Sequence, residues 1–393
     1  MPANPDDLCP QPDRVESGAT EPLVPAIYPA AVYRCDDPAQ ANALLGGELP
    51  GYVYRRDGHP NADVLAEKCR QLHGAERAAI CASGMSALAA VLLAHLESGD
   101  HVVVSDALYG RSVQLFTKEA KRLGIDATIV DVCDLAAFGA ALQPSKTKLV
   151  VLETISNPLL RVADISKVAE AAHATGARLL VDNTFASPAV CRPLELGADL
   201  VMESLTKIIN GHSDVLLGLV CGPSASWDRM DLAISCWGLN SNPFDCWLAA
   251  RGLGTMALRV ERSSDNALAA AKLLAEELPE GSVHYPGLPG HPDHLLATRQ
   301  FADRFGSIVT FTLPGGTAAA TKFIQHASRI PFSPSLGDLS TTLSHPESTS
   351  HRGLSPEERE RLGIFGGTIR LSVGIESPEW VCGGIREGLS ALP

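Results

Sequence analysis

The chain lacks an excess of basic residues and lacks long apolar runs. Its 32 Lys and Arg residues against 45 Asp and Glu give a formal net charge of −13. A negative balance argues against nucleic acid or an anionic membrane surface as a partner. No run of roughly 18 apolar residues occurs, so we predict no transmembrane helix. The polar, proline-rich start shows no signal-peptide pattern, and these features together favour a cytoplasmic protein.

Paired cysteines are missing as well. The chain contains ten cysteines, and no two of them form a C-x-x-C motif, which argues against a zinc ribbon or a thioredoxin-type site. We interpret them as reduced thiols, several of them in core strands. His212 and Asp214 have the spacing of a ligand pair, but no third ligand matches, so we predict no metal site.

The composition that is present suits a large core. Apolar residues make up 45% of the chain and charged residues 20%, and a length of 393 residues predicts two domains. Residues 1–61 are rich in Pro and Gly and predict an extended N-terminal arm. Residues 62–255 predict a large α/β domain, and residues 256–393 predict a smaller C-terminal α+β domain.

Short apolar runs alternate with helical patterns in the large domain. Nearly continuous apolar strands separated by helices favour a mostly parallel sheet covered on both faces, a three-layer α/β arrangement. The predicted strands cover residues 78–82, 101–105, 149–152, 178–181, 200–202 and 215–220. The predicted helices cover residues 86–96, 113–123 and 165–175.

The C-terminal part has a different pattern. We predict a long helix over residues 258–277, strands over 307–313 and 368–375, and helices over 318–327 and 378–389. The stretch 331–352 is rich in Ser, Thr, Pro and Gly. Because loops often carry functional residues, we interpret it as an ordered loop over a site.

Lys207, at the end of an apolar strand, is the most informative residue. Two hydroxyl residues, Ser204 and Thr206, precede it, and the turn-forming Gly211 follows it. A primary amine in this position can form a Schiff base with an aldehyde. Residues two apart project to one side of an extended backbone, where two hydroxyls can hold a phosphate. A lysine of this kind taken alone is more often an ordinary surface residue.

Three further residues could bind the ring nitrogen and the phosphate of a cofactor attached to such a lysine. Asp182 ends a predicted strand, where open α/β sheets bind ligands, and its carboxylate can keep a pyridine nitrogen protonated. Gly84 and Met85 begin the helix after the strand 78–82, where free N–H groups bind phosphate. Each also has an ordinary explanation, as a turn or a helix cap. Together with Lys207 they predict a site for pyridoxal 5′-phosphate (PLP).

Five other residues fit the same site. Tyr109 follows a strand, from which an aromatic ring can stack on a planar cofactor. The Asn157 amide can reach a cofactor oxygen or a substrate carboxylate. Arg370 lies on a predicted strand. Its side chain is either an ordinary exposed one or is held rigidly to bind an α-carboxylate. Tyr54 and Arg56 lie in the N-terminal arm, and the planar fork of an arginine suits a phosphate.

These motifs resemble those of the Cys/Met-metabolism family of PLP-dependent enzymes, the trans-sulfuration group within fold type I. The resemblance extends from about residue 17 to about residue 390. The segment Asp199–Ser213 is similar to the cofactor-attachment signature of the family, which is highly specific. The other matching motifs begin at Tyr54, Ser83, Tyr109, Glu153, Asp182, Ser335 and Arg370.

The resemblance implies a role for each residue and a three-layer PLP-dependent transferase fold. The residues implied to hold the cofactor are Lys207, Asp182, Tyr109, Gly84, Met85, Ser204, Thr206, Tyr54 and Arg56. The residues implied in catalysis are Lys207, Tyr109 and Tyr54. The residues implied to bind the substrate carboxylate are Asn157, Ser335 and Arg370. Tyr54 and Arg56 would reach the cofactor of a neighbouring subunit, in a homotetramer built as a dimer of active dimers.

The implied chemistry is γ-elimination or γ-replacement on a sulfur-containing or O-acylhomoserine-type amino acid. Ser340 stands where cystathionine γ-lyases and γ-synthases usually have a glutamate, and Arg111 stands where methionine γ-lyases usually have a cysteine. His59 departs from the usual Gly-Asn-Pro-Thr motif. The segment His345–Ser355 is more similar to homoserine-ester sulfhydrylases.

Several alternatives stay open at this stage. Lyase and synthase chemistry use the same residues, so the sequence does not choose between elimination and replacement. A β-eliminating lyase acting on cystathionine or cysteine is a second enzyme hypothesis. A catalytically silent PLP-binding protein is a hypothesis of another class. A dinucleotide-binding dehydrogenase fits the sheet but lacks the glycine fingerprint after its first strand.

Overall fold

Two β-sheets organise the chain in the computed structural model, which describes residues 3–11, 20 and 22–392. The strands of the larger sheet are β1 (Arg77–Cys81), β2 (His101–Ser105), β3 (Asp126–Val130), β4 (Thr147–Glu153), β5 (Arg178–Asp182), β6 (Leu200–Ser204) and β7 (Gly218–Gly222). The strands of the smaller sheet are β8 (Val283–His284), β9 (Ile308–Thr312), β10 (Thr342–Ser344) and β11 (Thr368–Ser372).

The larger sheet is mostly parallel, as predicted. Its order is β1-β7-β6-β5-β4-β2-β3, and only β7 runs antiparallel to its neighbours. Successive residues of the buried strands face two separate cores. Val103 packs into one core, whereas Val102 and Val104 pack into the other, on the opposite face of the sheet. The strands are continuously apolar because both faces are covered, which gives the three-layer α/β fold.

Helices cover both faces of the larger sheet and one face of the smaller sheet. Within the described residues the α-helices are α1 (Pro5–Leu8), α2 (Pro38–Leu45), α3 (Pro60–His73), α4 (Gly84–His95), α5 (Gly110–Gln114), α6 (Ala120–Arg122), α7 (Leu135–Ala141), α8 (Ile165–Ala174), α9 (Met230–Cys236), α10 (Pro243–Leu253), α11 (Met256–Glu277), α12 (His294–Gln300), α13 (Gly316–His326), α14 (Pro356–Arg361) and α15 (Pro378–Leu389). A π-helical turn, Leu115–Glu119, joins α5 to α6. None of the helices in this part of the chain has the length and apolar character that crossing a bilayer requires.

The smaller sheet is antiparallel, with the order β10-β11-β9-β8. A third apolar core lies between this sheet and helices α11, α13 and α15, and Phe311, Phe323 and Ile385 are fully buried there. The predicted division of the chain places its boundaries at residues 61/62 and 255/256. Helices α3 and α11 begin at Pro60 and Met256, close to these positions. The division itself stays a prediction.

Several elements differ from the prediction, and three of them show the physical reason. Helix α2 lies in the arm predicted to be extended, because the Asp37 side chain accepts the Gln40 N–H at 2.8 Å and caps it. Strand β3 was missed, since it lies at the sheet edge and is only partly buried. Strand β10 lies inside the segment 331–352 that was predicted as a loop.

Candidate active site

A cavity of about 270 Å³ lies at the carboxyl ends of β4, β5 and β6. Parallel strands present their carboxyl ends at one edge of the sheet, so side chains that are distant in sequence meet there. The predicted site residues that line it are Gly84, Met85, Tyr109, Asn157, Asp182, Ser204, Thr206, Lys207, Ser335 and Arg370. The structure therefore brings most of the predicted site together in one chain.

Lys207 lies in a turn that follows β6. Its Nζ donates a hydrogen bond to Ser335 Oγ at 3.0 Å. Burial, with a smaller contribution from Arg370, lowers the pKa of Lys207. A larger fraction of neutral amine makes Lys207 a better nucleophile toward an aldehyde. Gly337 has a φ of +76°, and a Cβ there would lie 2.7 Å from the Ile208 nitrogen, so a glycine lets the Ser335 loop approach the lysine.

Arg259 of α11 fixes the backbone around Lys207, and the sequence did not reveal it. Its guanidinium donates to the carbonyl oxygens of Ile208 at 2.7 Å, Ile209 at 2.8 Å and Gly252 at 2.9 Å. Burial lowers the pKa of Arg259 to about 10. In the sequence it is one cation in a long amphipathic helix, so no local pattern distinguishes it from a solvent-exposed arginine.

Asp182 ends β5 and carries one engaged and one free oxygen. The Thr184 N–H donates to Asp182 Oδ1 at 3.0 Å, and the Thr184 hydroxyl donates to the same oxygen. Among the described residues nothing donates to Oδ2, and Asp182 lines the cavity. Burial raises the pKa of Asp182 to about 6, and the nearby Glu203 adds to the shift. A cation beside Oδ2, such as a protonated ring nitrogen, would stabilise the carboxylate.

The amino end of α4 forms an anion-binding cradle. Ser83 Oγ caps the helix by accepting the Ser86 N–H at 3.0 Å. The N–H groups of Gly84 and Met85 then have no partner in the part of the chain that the structure describes. A Cβ on Gly84 would lie 3.0 Å from Ser204 Cβ, so the glycine permits this close approach. Free N–H groups, the helix dipole and the Ser204 hydroxyl suit a phosphate.

The two hydroxyls of the cradle are not arranged as predicted. Ser204 and Thr206 were placed on one side of an extended backbone, but β6 ends at Ser204 and Thr206 lies in the following turn. Both residues still line the cavity because the chain reverses there. The Thr206 hydroxyl accepts the Leu217 N–H at 3.2 Å and thereby fastens the turn to the segment before β7.

Arg370 forms the opposite wall of the cavity with Asn157. Its Nη1 donates to Asn157 Oδ1 at 2.8 Å, and its Nη2 lies 3.3 Å from the Ser335 carbonyl oxygen. Arg370 is 4% exposed, so the alternative of an ordinary exposed strand residue is wrong. Its Nε is buried without a partner in the described part of the chain. A buried, incompletely satisfied guanidinium suits a carboxylate ligand.

Tyr54 and Arg56 do not join the cavity of their own chain. Tyr54 is 43% exposed, and the Arg56 guanidinium lies 5.2 Å from the centroid of its ring. Tyr109, a residue that is 40% exposed, lines the cavity. A contribution of Tyr54 and Arg56 to a neighbouring subunit therefore stays a prediction.

The structure also shows where the residues that depart from the family motifs lie. Ser340 is exposed outside the cavity, and Arg111 is exposed on α5, where it donates to Gln114 Oε1 at 2.8 Å. His59 is buried, and its Nδ1 accepts the Ala62 N–H at 3.1 Å, so it caps α3. Near Lys207, where no metal site was predicted at His212 and Asp214, Asn210 donates to Asp214 Oδ1 at 2.8 Å. The described residues contain no group of three metal-ligating side chains.

The fold and the cavity together define a PLP-dependent enzyme of the three-layer α/β type, with its lysine in the turn after a buried strand. Comparison with known proteins gives the particular family. The family described as Cys/Met metabolism PLP-dependent enzyme matches residues 11–390, and the chain belongs to it.

Known relatives and solved structures match nearly the whole length of this chain. The chain is 41% identical to the O-succinylhomoserine sulfhydrylase of Pseudomonas aeruginosa, over 93% of this chain and 91% of the relative. It is 37% identical to the L-methionine gamma-lyase of Porphyromonas gingivalis, over 94% and 93%. A crystal structure of cystathionine gamma synthase from Xanthomonas oryzae pv. oryzae in complex with cystathionine matches with a TM-score of 0.93, 37% identity and coverage of 100% and 99%.

The family confirms the predicted cofactor and the predicted class of reaction. The protein is a PLP-dependent enzyme of the carbon–sulfur lyase and γ-replacing group, acting by γ-elimination or γ-replacement. PLP supplies an electron sink for negative charge that develops on the substrate carbon atoms. The anion cradle, the free Asp182 oxygen and the buried Lys207 amine fit its phosphate, ring nitrogen and aldehyde.

Proposed function

We propose that the enzyme replaces the γ-acyloxy group of an O-acylhomoserine with a small sulfur nucleophile that carries no amino group, such as sulfide. In this reaction the Cγ–O bond breaks, the carboxylate leaves with the electron pair, and an S–Cγ bond forms. The product from sulfide is homocysteine. Of the two reaction types of the family, replacement is therefore the one that we assign.

The observation that carries this proposal is the acid content of the cavity. Among the described residues that line it, Glu153 and Asp182 are the carboxylates. Glu153 accepts two backbone N–H groups, and Asp182 is assigned to the ring nitrogen. No described carboxylate of the same chain remains in the cavity for the amino group of cysteine, the thiol that yields cystathionine. The 41% identity to an O-succinylhomoserine sulfhydrylase supports the same choice.

We assign the site residues the roles implied by their contacts. Lys207 would hold the cofactor and move protons at the substrate Cα and Cβ, and its Nζ is oriented by the hydrogen bond to Ser335 Oγ. Arg370 and Asn157 bind the substrate carboxylate and so orient the Cα–H bond. Gly84, Met85, Ser204 and Thr206 hold the phosphate, and Tyr109 stacks on the ring.

Product analysis tests the reaction. The holoenzyme is supplied with O-succinylhomoserine alone, with sulfide, or with cysteine, and homocysteine, cystathionine and 2-oxobutanoate are quantified. We expect homocysteine to form with sulfide, at a kcat/KM at least tenfold above that for cystathionine formation from cysteine. Equal rates with cysteine, or 2-oxobutanoate at the same rate with and without sulfide, would contradict the proposal.

The competing hypotheses give different products in the same assay. Pyruvate from cystathionine or cysteine marks a β-eliminating lyase. The Lys207→Ala protein is the control, since it keeps the cavity and loses the amine. Full biological activity of that variant would favour a silent PLP-binding protein. Borohydride reduction and peptide mapping of the wild-type protein should place the PLP adduct on Lys207.

We further propose a homotetramer built from two active dimers, located in the cytoplasm. Tyr54 and Arg56 support the dimer, because they are exposed and lie outside the cavity of their own chain. No disulfide joins the described cysteines, which suits a reducing compartment.

A further inference from the structure

Glu153 is a buried carboxylate in the cavity to which the mechanism above gives no role. Glu153 ends β4 and pairs in register with Asp182 on β5. The two carboxyl groups therefore lie side by side at the carboxyl ends of two central strands. Glu153 is 8% exposed. A buried carboxylate beside a second carboxylate is costly, and such an arrangement requires strong hydrogen bonds in return.

Both carboxylate oxygens of Glu153 accept backbone N–H groups from two different loops. The Tyr109 N–H donates to Oε1 at 2.7 Å, and the Asn157 N–H donates to Oε2 at 3.2 Å. The Tyr109 loop follows β2, and the Asn157 loop follows β4 itself. One side chain therefore ties two loops to the end of a single central strand.

Tyr109 and Asn157 both line the cavity in which the ligand would bind. Tyr109 presents its ring to the cavity, and Asn157 Oδ1 accepts from Arg370 Nη1 at 2.8 Å. Burial and the neighbouring Asp182 raise the pKa of Glu153, and the two N–H donors with Arg370 act in the opposite direction. Two N–H donors, one on each oxygen, match the ionised carboxylate, which has only acceptor positions.

We propose that Glu153 is a positioning residue that holds the cofactor-stacking Tyr109 and the carboxylate-binding pair Asn157–Arg370 in a fixed relation to each other. The proposal rests on the roles assigned above to these three residues. Loss of this tie should leave the cofactor attached to Lys207. It should weaken recognition of the substrate α-carboxylate, because Asn157 would no longer be fixed against Arg370.

Glu153→Gln is the sharpest test, because the change is isosteric. An amide has one acceptor oxygen, and its NH2 group would face an N–H of Tyr109 or Asn157. Glu153→Asp keeps the charge and shortens the side chain by one methylene, so it cannot span both donors. Glu280→Gln, the same chemical change at an exposed position, is the matched control.

The measurement is a spectral titration of each holoenzyme with an unreactive amino acid and with the amine that lacks its carboxylate. The dissociation constant of the amine divided by that of the amino acid reports recognition of the carboxylate. We expect this ratio to fall at least tenfold in Glu153→Gln and in Glu153→Asp, with KM changing more than kcat. The Lys207 adduct should remain, and Glu280→Gln should match the wild type.

An unchanged ratio in either folded Glu153 variant would overturn the positioning role. If Glu153→Gln does not fold, Glu153→Asp decides the question, since it retains the buried negative charge beside Arg370. Failure of the proposed function is distinguishable, because it would appear in the wild type as a missing Lys207 adduct or as the absence of homocysteine formation.

Discussion

Asp182 combines an observed structural contact with the electronic role that we propose for it. One oxygen is fixed by Thr184, and the other is free toward the cavity. The free oxygen matters only when a cation lies beside it, because a buried carboxylate is otherwise destabilised. The cofactor and this residue should therefore stabilise each other's charged forms.

Asp182→Asn should separate cofactor attachment from catalysis. The amide keeps the shape of the side chain but cannot neutralise a protonated ring nitrogen. We expect PLP to remain bound to Lys207 and kcat to fall at least about 100-fold, the scale of losing one preorganised electrostatic contact. Borohydride labelling and steady-state kinetics measure the two effects. The exposed Asp265→Asn is the control, and near-normal turnover in Asp182→Asn would refute the assigned role.

The binding of PLP to the apo protein should weaken as the pH falls through about 6. The folded pKa of Asp182 is raised to about 6 by burial, so below that pH the carboxyl is neutral and cannot pair with a cation. A raised carboxyl pKa makes this group favour the folded state at low pH, so unfolding driven by Asp182 does not explain such a loss. Asp182→Asn shares the titration of the PLP phosphate and is the control. An identical pH dependence in both proteins would contradict the prediction.

At the scale of elements, the site depends on the packing of α11 against the turn after β6. Arg259 carries this contact through the carbonyl oxygens of Ile208 and Ile209, and its third carbonyl partner, Gly252, lies in α10. Arg259→Lys keeps the charge and loses the planar fork, so carbonyl groups remain buried without a donor, at a cost of about 1–3 kcal/mol each.

We expect Arg259→Lys to lower the melting temperature and to accelerate amide hydrogen exchange in residues 205–211. Activity should fall because Lys207 is in this turn. Arg262→Lys, on the solvent face of the same helix, is the matched control, since Arg262 is exposed. Wild-type exchange in the turn of Arg259→Lys would show that the contact does not hold Lys207 in place.

The elements that the sequence predicted best are those whose environment is uniform along the chain. Strand β2 was predicted at its observed bounds because its Val-Val-Val run is buried on both faces. Asp182 and Lys207 could be predicted as site residues because Asp182 ends such a strand and Lys207 lies in the turn that follows another. Arg259 was missed because its partners are backbone carbonyls at positions 208, 209 and 252, which no local pattern reports. The two contacts of Glu153 also join separate loops and become visible only in three dimensions.

At the scale of the whole molecule, a complete active site requires residues from two chains in our proposal. Tyr54 and Arg56 occupy an arm that also exposes apolar side chains, among them Leu23 at 77% and Val32 at 68%. Exposed apolar groups beside a basic residue fit an interface that another subunit covers. In a symmetric dimer each arm would then complete the site of its partner.

Mixing two inactive variants tests this arrangement. In a dimer of one Lys207→Ala chain and one Arg56→Ala chain, sharing across the interface creates one site with both residues intact. Random pairing makes half of the dimers mixed with one good site of two, so activity should recover to about one quarter of the wild type. If each chain uses its own Arg56, no combination contains an intact site and activity stays at the level of the parents. Two Lys207→Ala preparations with different tags, mixed in the same way, control for recovery caused by handling alone. Because recovery requires only that the two residues come from different chains, it distinguishes an active dimer from an active monomer regardless of the substrate.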